Sequence, residues 1–303
     1  MTINGASRED SARSPRSWRR TQLLTAVGGT LLTCSLALTA LPANAATSAG
    51  TTTVSGVQCT SATDPKLAAQ LAKDISVART ARHDTVAVWV DAPKYNVTCQ
   101  YNGSAHFDSA SVVKVIILGT LLRRAMEHNH GLLTATEAAE ARLMITESDN
   151  NAATWLWNHV GMNYLRYFLR LTGMTQTELG ANGEWGLTQV TAHDENLLLT
   201  YLTTPNRVLD NAGRAYALGL MHEVISSQRW GVTAGAPSNY TWHVKNGWLP
   251  RATHGWRINS IGTFTNGSNW YNIVVLSMDN PTMSYGVTTV QNIAKAVHHD
   301  LNP

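Results

Sequence analysis

The hydrophobic period of this 303-residue chain changes twice along its length, and the order of those changes restricts the folds open to it. "DPKLAAQLAKDISVARTA" has helical spacing, with Asp64 as N-cap and Pro65 at the first helical position. "TVAVWVDA" and "YNVTCQYN" alternate like two paired strands around a turn at Pro93. A long helical block follows. It holds the run from Ser111 to His128, "TATEAAEARLMITES" with a capping-box pair Thr134 and Glu137, "NNAATWLWNHV", "NYLRYFLRLTG", "TAHDENLLLTYL" and "AGRAYALGLMHEVI". "MTQTELGANGEWGLTQV" has no period and reads as a long loop. After Trp230 the period returns to two in "YTWHVKNGW", "WRINSIGTFT" and "NWYNIVVLSM", and "GVTTVQNIAKAVHHD" closes as a helix. Strands from both ends of the chain need partners. The economical packing is one five-stranded antiparallel sheet flanked by the N- and C-terminal helices, with an all-helical lobe inserted over about residues 111–230. This is an α/β (α+β) class with a cleft to which both lobes contribute.

The first 45 residues read as something other than fold. Arg13, Arg16, Arg19 and Arg20 precede an apolar stretch from Leu23 to Leu41, and Ala43-Asn44-Ala45 follows. Positive, then apolar, then A-x-A is the pattern of a cleaved export signal. Arg19-Arg20 adds a twin-arginine character. The competing reading is a membrane anchor; the Thr and Gly within the apolar run and the cleavage-like end favour export, and Cys34 falls inside the signal. Residues 46–57, rich in Thr, Ser and Gly, read as a flexible tail, and residues 58–303 as the folded domain.

Removing the leader changes the charge balance. It contains five Arg against Glu9 and Asp10, so of 23 basic and 20 acidic residues 18 of each remain. A neutral chain offers no basic field for nucleic acid or an anionic membrane. Two cysteines remain, Cys59 and Cys99, either joined in an exported disulfide or held as two buried thiols. His298-His299 reads as a solvated helix end rather than a metal pair.

"FDSASVVKVIIL" places Lys114 in an otherwise apolar helix. Positions three apart share a helical face, which brings Ser111 and Lys114 together at the N-terminus of that helix. A serine hydroxyl is a poor nucleophile until a base takes its proton. A lysine amine serves only if its pKa falls, and an apolar wall of Val112, Val113, Val115, Ile116, Ile117 and Leu118 would lower it by desolvation. Ser-x-x-Lys alone is weak, and the lysine could simply reach the surface. Two further motifs follow in order: Ser148-Asp149-Asn150 between two helices, and Lys245-Asn246-Gly247 on a predicted strand. S-x-x-K, S-D-N and K-T-G together form a known serine-enzyme signature.

With these motifs the chain resembles the class A β-lactamases and the penicillin-recognising serine hydrolase superfamily. Stretches such as "EWGLTQVTAHD", "QRWGVTAG" and "KNGWLPR" resemble in particular secreted actinobacterial β-lactamase-like serine hydrolases. The resemblance implies that Ser111 forms an acyl-enzyme, Lys114 is its base or proton relay, and Ser148 passes a proton to the leaving nitrogen. It implies that Asn150 touches the substrate amide and Lys114, that Lys245 supplies positive charge near the substrate carboxylate, and that the N–H groups of Ser111 and Trp248 form the oxyanion hole.

Two departures stand out. Lys-Thr-Gly has become Lys245-Asn246-Gly247, where an Asn amide can still donate to a carboxylate. The glutamate that activates the deacylating water in the family corresponds, by a match to Glu178-Leu179, to Gln176, which can hold a water but cannot take its proton. Glu178 and Glu184 lie in the same loop, each either a replacement base or an ordinary loop carboxylate. Arg251 and Arg257 read either as carboxylate ligands or as surface residues, and Trp230, Trp242, Trp248 and Trp256 as a subsite wall or core packing. The expected partner is a small-molecule β-lactam or a peptidoglycan-derived substrate. It meets a secreted monomer that has no cofactor, binds no nucleic acid and is not inserted in a membrane after signal cleavage. Three activities fit: a β-lactamase-type hydrolase, a D-Ala-D-Ala carboxypeptidase or transpeptidase, and a penicillin-binding protein that acylates without turnover.

Overall fold

The computed structural model describes residues 50–302. The expected export signal, residues 1–45, lies outside the described residues. The strands in chain order are β1 (Gly50–Val54), β2 (Val57–Ser61), β3 (Thr85–Ala92), β4 (Val97–Tyr101), β5 (Phe107–Asp108), β6 (Gln189–Val190), β7 (Thr241–Pro250), β8 (Trp256–Asn266) and β9 (Asn269–Asn280). The helices are α1 (Pro65–Thr80), α2 (Val113–His128), α3 (Ala135–Arg142), α4 (Asn150–Thr172), α5 (Ala192–Thr203), α6 (Asn211–His222) and α7 (Met283–Leu301). Among the described residues no helix is long and apolar enough to cross a membrane.

The main sheet is antiparallel, in the order β1-β2-β4-β3-β9-β8-β7, seven strands rather than the expected five. The two additional strands correct the reading of residues 46–57 as a flexible tail: from Gly50 on, that stretch is ordered as β1 and the start of β2. Its threonines are β-branched, alternate between exposed and half-buried, and suit a pleated edge. Ser55 and Gly56, both at positive φ, supply the two-residue turn such a hairpin needs.

Period-two alternation on the central strands divides the core in two. Ala87, Leu276, Val274 and Ile261 face the helical lobe, whereas Val88, Val90, Val275 and Ile273 face α1 and α7. The sheet is therefore covered on both faces. In the helical lobe, α2 is buried along most of its length, and α4 breaks at Gly161, whose φ of 77° and ψ of 155° are not helical. His298 is a correction: it is buried, not a solvated helix end. Its ring nitrogens lie 2.8 Å from Tyr271 Oη and 2.8 Å from the Val232 carbonyl, and burial lowers its pKa to about 4.

Cys59 and Cys99 face each other across β2 and β4 and are joined in a disulfide. At a sequence separation of 40, the chain-entropy model gives a contribution of about 4 kcal/mol. Reduction is expected to lower the unfolding free energy by that amount, read as a lower midpoint in urea unfolding with a thiol reductant than without; an unchanged midpoint would refute it.

Candidate active site

The segment before α2 is held from three sides. Strand β5 pairs with β6, so Phe107 faces Val190 and Asp108 faces Gln189, and the Ser109 N–H donates to the Thr188 carbonyl (2.8 Å). The Asn259 amide, from β8, donates to the carbonyls of Asp108 (2.9 Å) and Ser109 (3.0 Å). Beneath these, Asp108 pairs with the buried Arg257 at 3.0 Å. These clamps hold Ala110 at a φ of 47°, a left-handed conformation that costs a residue with a Cβ about 1–2 kcal/mol. Ser111 follows directly, in a 3-10 turn over Ala110–Val112 that leads into α2. Gly247 presses on this turn from β7, so close that a Cβ there would lie 2.7 Å from the Ser111 backbone nitrogen.

Lys114 is fully buried, as its apolar neighbours predict. Its Nζ lies 2.6 Å from the Ser148 carbonyl, 2.8 Å from Asn150 Oδ1 and 3.1 Å from Ser148 Oγ. Burial lowers its pKa to about 7, opposed by the nearby Asp149 carboxylate. As an ammonium Nζ can donate to all three oxygens; as a neutral amine it donates to two and keeps one lone pair with which to take a proton.

Ser148 is placed by a change in helix type. The chain widens into a π-helical turn over Leu143–Glu147, Ser148 turns left-handed at a φ of 58°, and Asp149 caps α4 by accepting from the Ala152 N–H at 2.8 Å. On its other side Ser148 Oγ lies 3.0 Å from Nζ of Lys245. That lysine is also fully buried, and desolvation first, then the neighbouring Lys114, holds its pKa well below normal. One hydroxyl thus sits between two amines at 3.1 and 3.0 Å.

In front lies a cavity of about 390 Å³ whose lining includes Ser111, Asn150, Thr154, Glu184, Trp185 and Trp248. The structure therefore brings together Ser111, Lys114, Ser148, Asn150, Lys245, Gly247 and Trp248. Asn246 departs from its expected use. Its amide donates to the carbonyls of Gln228 and Trp230, each at 2.9 Å, and its Oδ1 accepts from Ser260 at 2.6 Å, so it braces the fold behind the site. Arg257 is likewise committed to Asp108 rather than open to a ligand.

Gln176 is not among the cavity-lining residues. Its N–H donates to the buried Asp194 carboxylate (2.9 Å) and its carbonyl lies 2.7 Å from His106 Nε2. Glu178 then bridges to Gln189. Residues 176–178 thus form the stem of the long loop, and the part that reaches the cavity is 183–187. This places Glu184 and Trp185 at the site, the latter with its ring centroid 4.8 Å from Lys114 Nζ and its indole N–H donating to Thr154 Oγ1 (3.1 Å). Trp185 and Thr154 went unnoticed in the sequence because no motif marks them; the loop's pairing with β5 is the signal that finds them.

An antiparallel sheet with an inserted helical lobe, and a serine hydroxyl between two buried lysines beside a cavity lined by Ser111, fit a serine hydrolase of β-lactamase architecture. The chain belongs to the β-lactamase enzyme family, whose model matches residues 66–141 and 132–301. Similar folds include a class A β-lactamase from Bacteroides cellulosilyticus (18% identity, 77% of this chain and 97% of that one, TM-score 0.67). Another is a β-lactamase from Sphaerobacter thermophilus (19%, 75% and 96%, TM-score 0.64). A third is the TLA-3 extended-spectrum β-lactamase (17%, 77% and 98%, TM-score 0.69). No curated protein matches the chain.

Proposed function

We propose that the protein is an exported serine hydrolase that opens β-lactams or related amides through an acyl-enzyme on Ser111. The observation that carries this reading is the Ser148 hydroxyl held between the amines of Lys114 and Lys245 beside the Ser111 cavity. In the acylation step the Ser111 Oγ–carbonyl carbon bond forms and the amide C–N bond breaks. The serine proton passes to neutral Lys114 and reaches the leaving nitrogen through Ser148. The N–H groups of Ser111 and Trp248 receive the oxyanion, a pair of donors of the kind worth about 3–4 kcal/mol each in lowering the barrier. Water then cleaves the acyl ester.

A second reading is favoured by the loop stem. Gln176, matched to the family's water-activating glutamate, is held by its backbone N–H to Asp194 and does not line the cavity, and the acyl-enzyme would be long-lived. That outcome suits a penicillin-binding protein or a D-Ala-D-Ala carboxypeptidase as well as a slow β-lactamase.

Mixing the protein with a chromogenic cephalosporin is expected to give a burst of one equivalent, a matching mass gain on Ser111 and slow turnover afterwards. Because Gln176 lies in the stem, Gln176→Glu is expected to leave turnover within about twofold of the wild type. The acyl-enzyme reading fails if neither burst nor mass gain occurs, and release of D-alanine from a peptide ending in D-Ala-D-Ala would select the carboxypeptidase.

A further inference from the structure

The cavity offers an unusual set of charges for an enzyme of this architecture. A carboxylate beside the scissile amide is received best by a cation, and the cations nearest the cavity are directed elsewhere. The Lys245 amine has no exposure and is held by Ser148 Oγ and the Asn246 carbonyl. Asn246 spends both amide hydrogens on backbone carbonyls. Arg257 is buried against Asp108, and Arg251 lies 3.9 Å from the same carboxylate, outside the cavity lining. Among the described residues lining the cavity there is no Lys or Arg.

The lining contains the opposite chemistry. Glu184, an exposed acidic residue, lines it together with Trp185 and Trp248. A carboxylate with two indoles is a receptor for a cation, since indole faces attract cations electrostatically. Trp185 already stands 4.8 Å from one amine, that of Lys114.

We infer that this site takes acyl donors bearing a positively charged amine and disfavours those with a carboxylate beside the scissile bond. The inference rests on the acyl-enzyme reading above and names its substrate class: cationic amides, with Glu184, Trp185 and Trp248 as the specificity residues. Penicillin-type acids and peptides ending in D-Ala-D-Ala fall on the disfavoured side.

One scaffold at three charges tests this: a chromogenic cephalosporin as its free acid, its methyl ester and its 2-(trimethylammonio)ethyl ester. The acylation rate is read from the burst, and labelling of Ser111 from intact mass. The expected order is cationic ester, then methyl ester, then acid, with steps of about tenfold. Glu184→Gln is expected to bring the cationic ester down to the methyl ester. An acid as fast as the methyl ester, or a cationic ester no faster than it, with Ser111 labelled throughout, overturns the inference and leaves the acyl-enzyme reading standing. If none of the three labels Ser111, that reading falls and the inference with it.

Discussion

Lys114→Ala is expected to slow acylation of Ser111 about a thousandfold, within the hundredfold to ten-thousandfold range typical of a positioned general base. The buried amine is the basic group on the Ser111 side of the hydrogen-bonded cluster, and with a pKa of about 7 it is half neutral near physiological pH. Only the neutral form can take a proton. The wild-type acylation rate should therefore rise about tenfold per pH unit below 7 and level off above it, and Lys114→Ala should lose that inflection. Lys114→Met separates chemistry from folding. It preserves most of the volume in the apolar wall of α2 and removes an amine that burial penalises, so it should be equally slow yet at least as resistant to urea. Stopped-flow bursts across pH 5–9 provide the check. A flat wild-type profile through pH 7 would rule out the base assignment.

Gly247→Ala is the second large expected effect. The added Cβ would lie 2.7 Å from the Ser111 nitrogen, 2.9 Å from the Ser109 oxygen and 3.0 Å from the Val112 nitrogen. All three are backbone atoms, and they belong to a turn already clamped by Asn259 and the β5–β6 pair. With no flexible side chain to move aside, β7 and the turn have to separate. Overpacking of this kind costs about 1–3 kcal/mol, and displacing one oxyanion donor costs about a hundredfold or more in rate. Gly219→Ala in α6 is the control, because its Cβ would meet nothing within 4 Å and alanine favours a helix. Urea unfolding and burst rates on both variants test this. A Gly247→Ala protein acylating at the wild-type rate would show that the turn does not bind the oxyanion.

The lobe order, the sheet core and the meeting of Lys114, Ser148 and Lys245 were legible because each rests on a local signal: a period, a cap, or a motif whose residues keep fixed spacing. Three features were not. The β1 hairpin was masked by composition, since Thr-rich sequence reads as disorder unless its alternation and the Ser55-Gly56 turn are weighed. The setting of Gln176 was hidden because a loop without period shows no register in sequence; Glu178 meeting Gln189 and Asp194 holding the stem fix it only in the fold. Asn246 looked like a substrate ligand from its neighbours in sequence, yet its amide meets carbonyls about sixteen residues earlier, a pairing that becomes visible only once the chain is folded.

Strand β1 also determines where the ordered part of the chain can be shortened. It is the outermost member of the sheet, and its backbone covers β2, which carries Cys59. A recombinant form started at Gln58 would trade the short, Thr-rich edge of β1 for the bared flank of β2, where a second molecule can add a strand, inviting self-association.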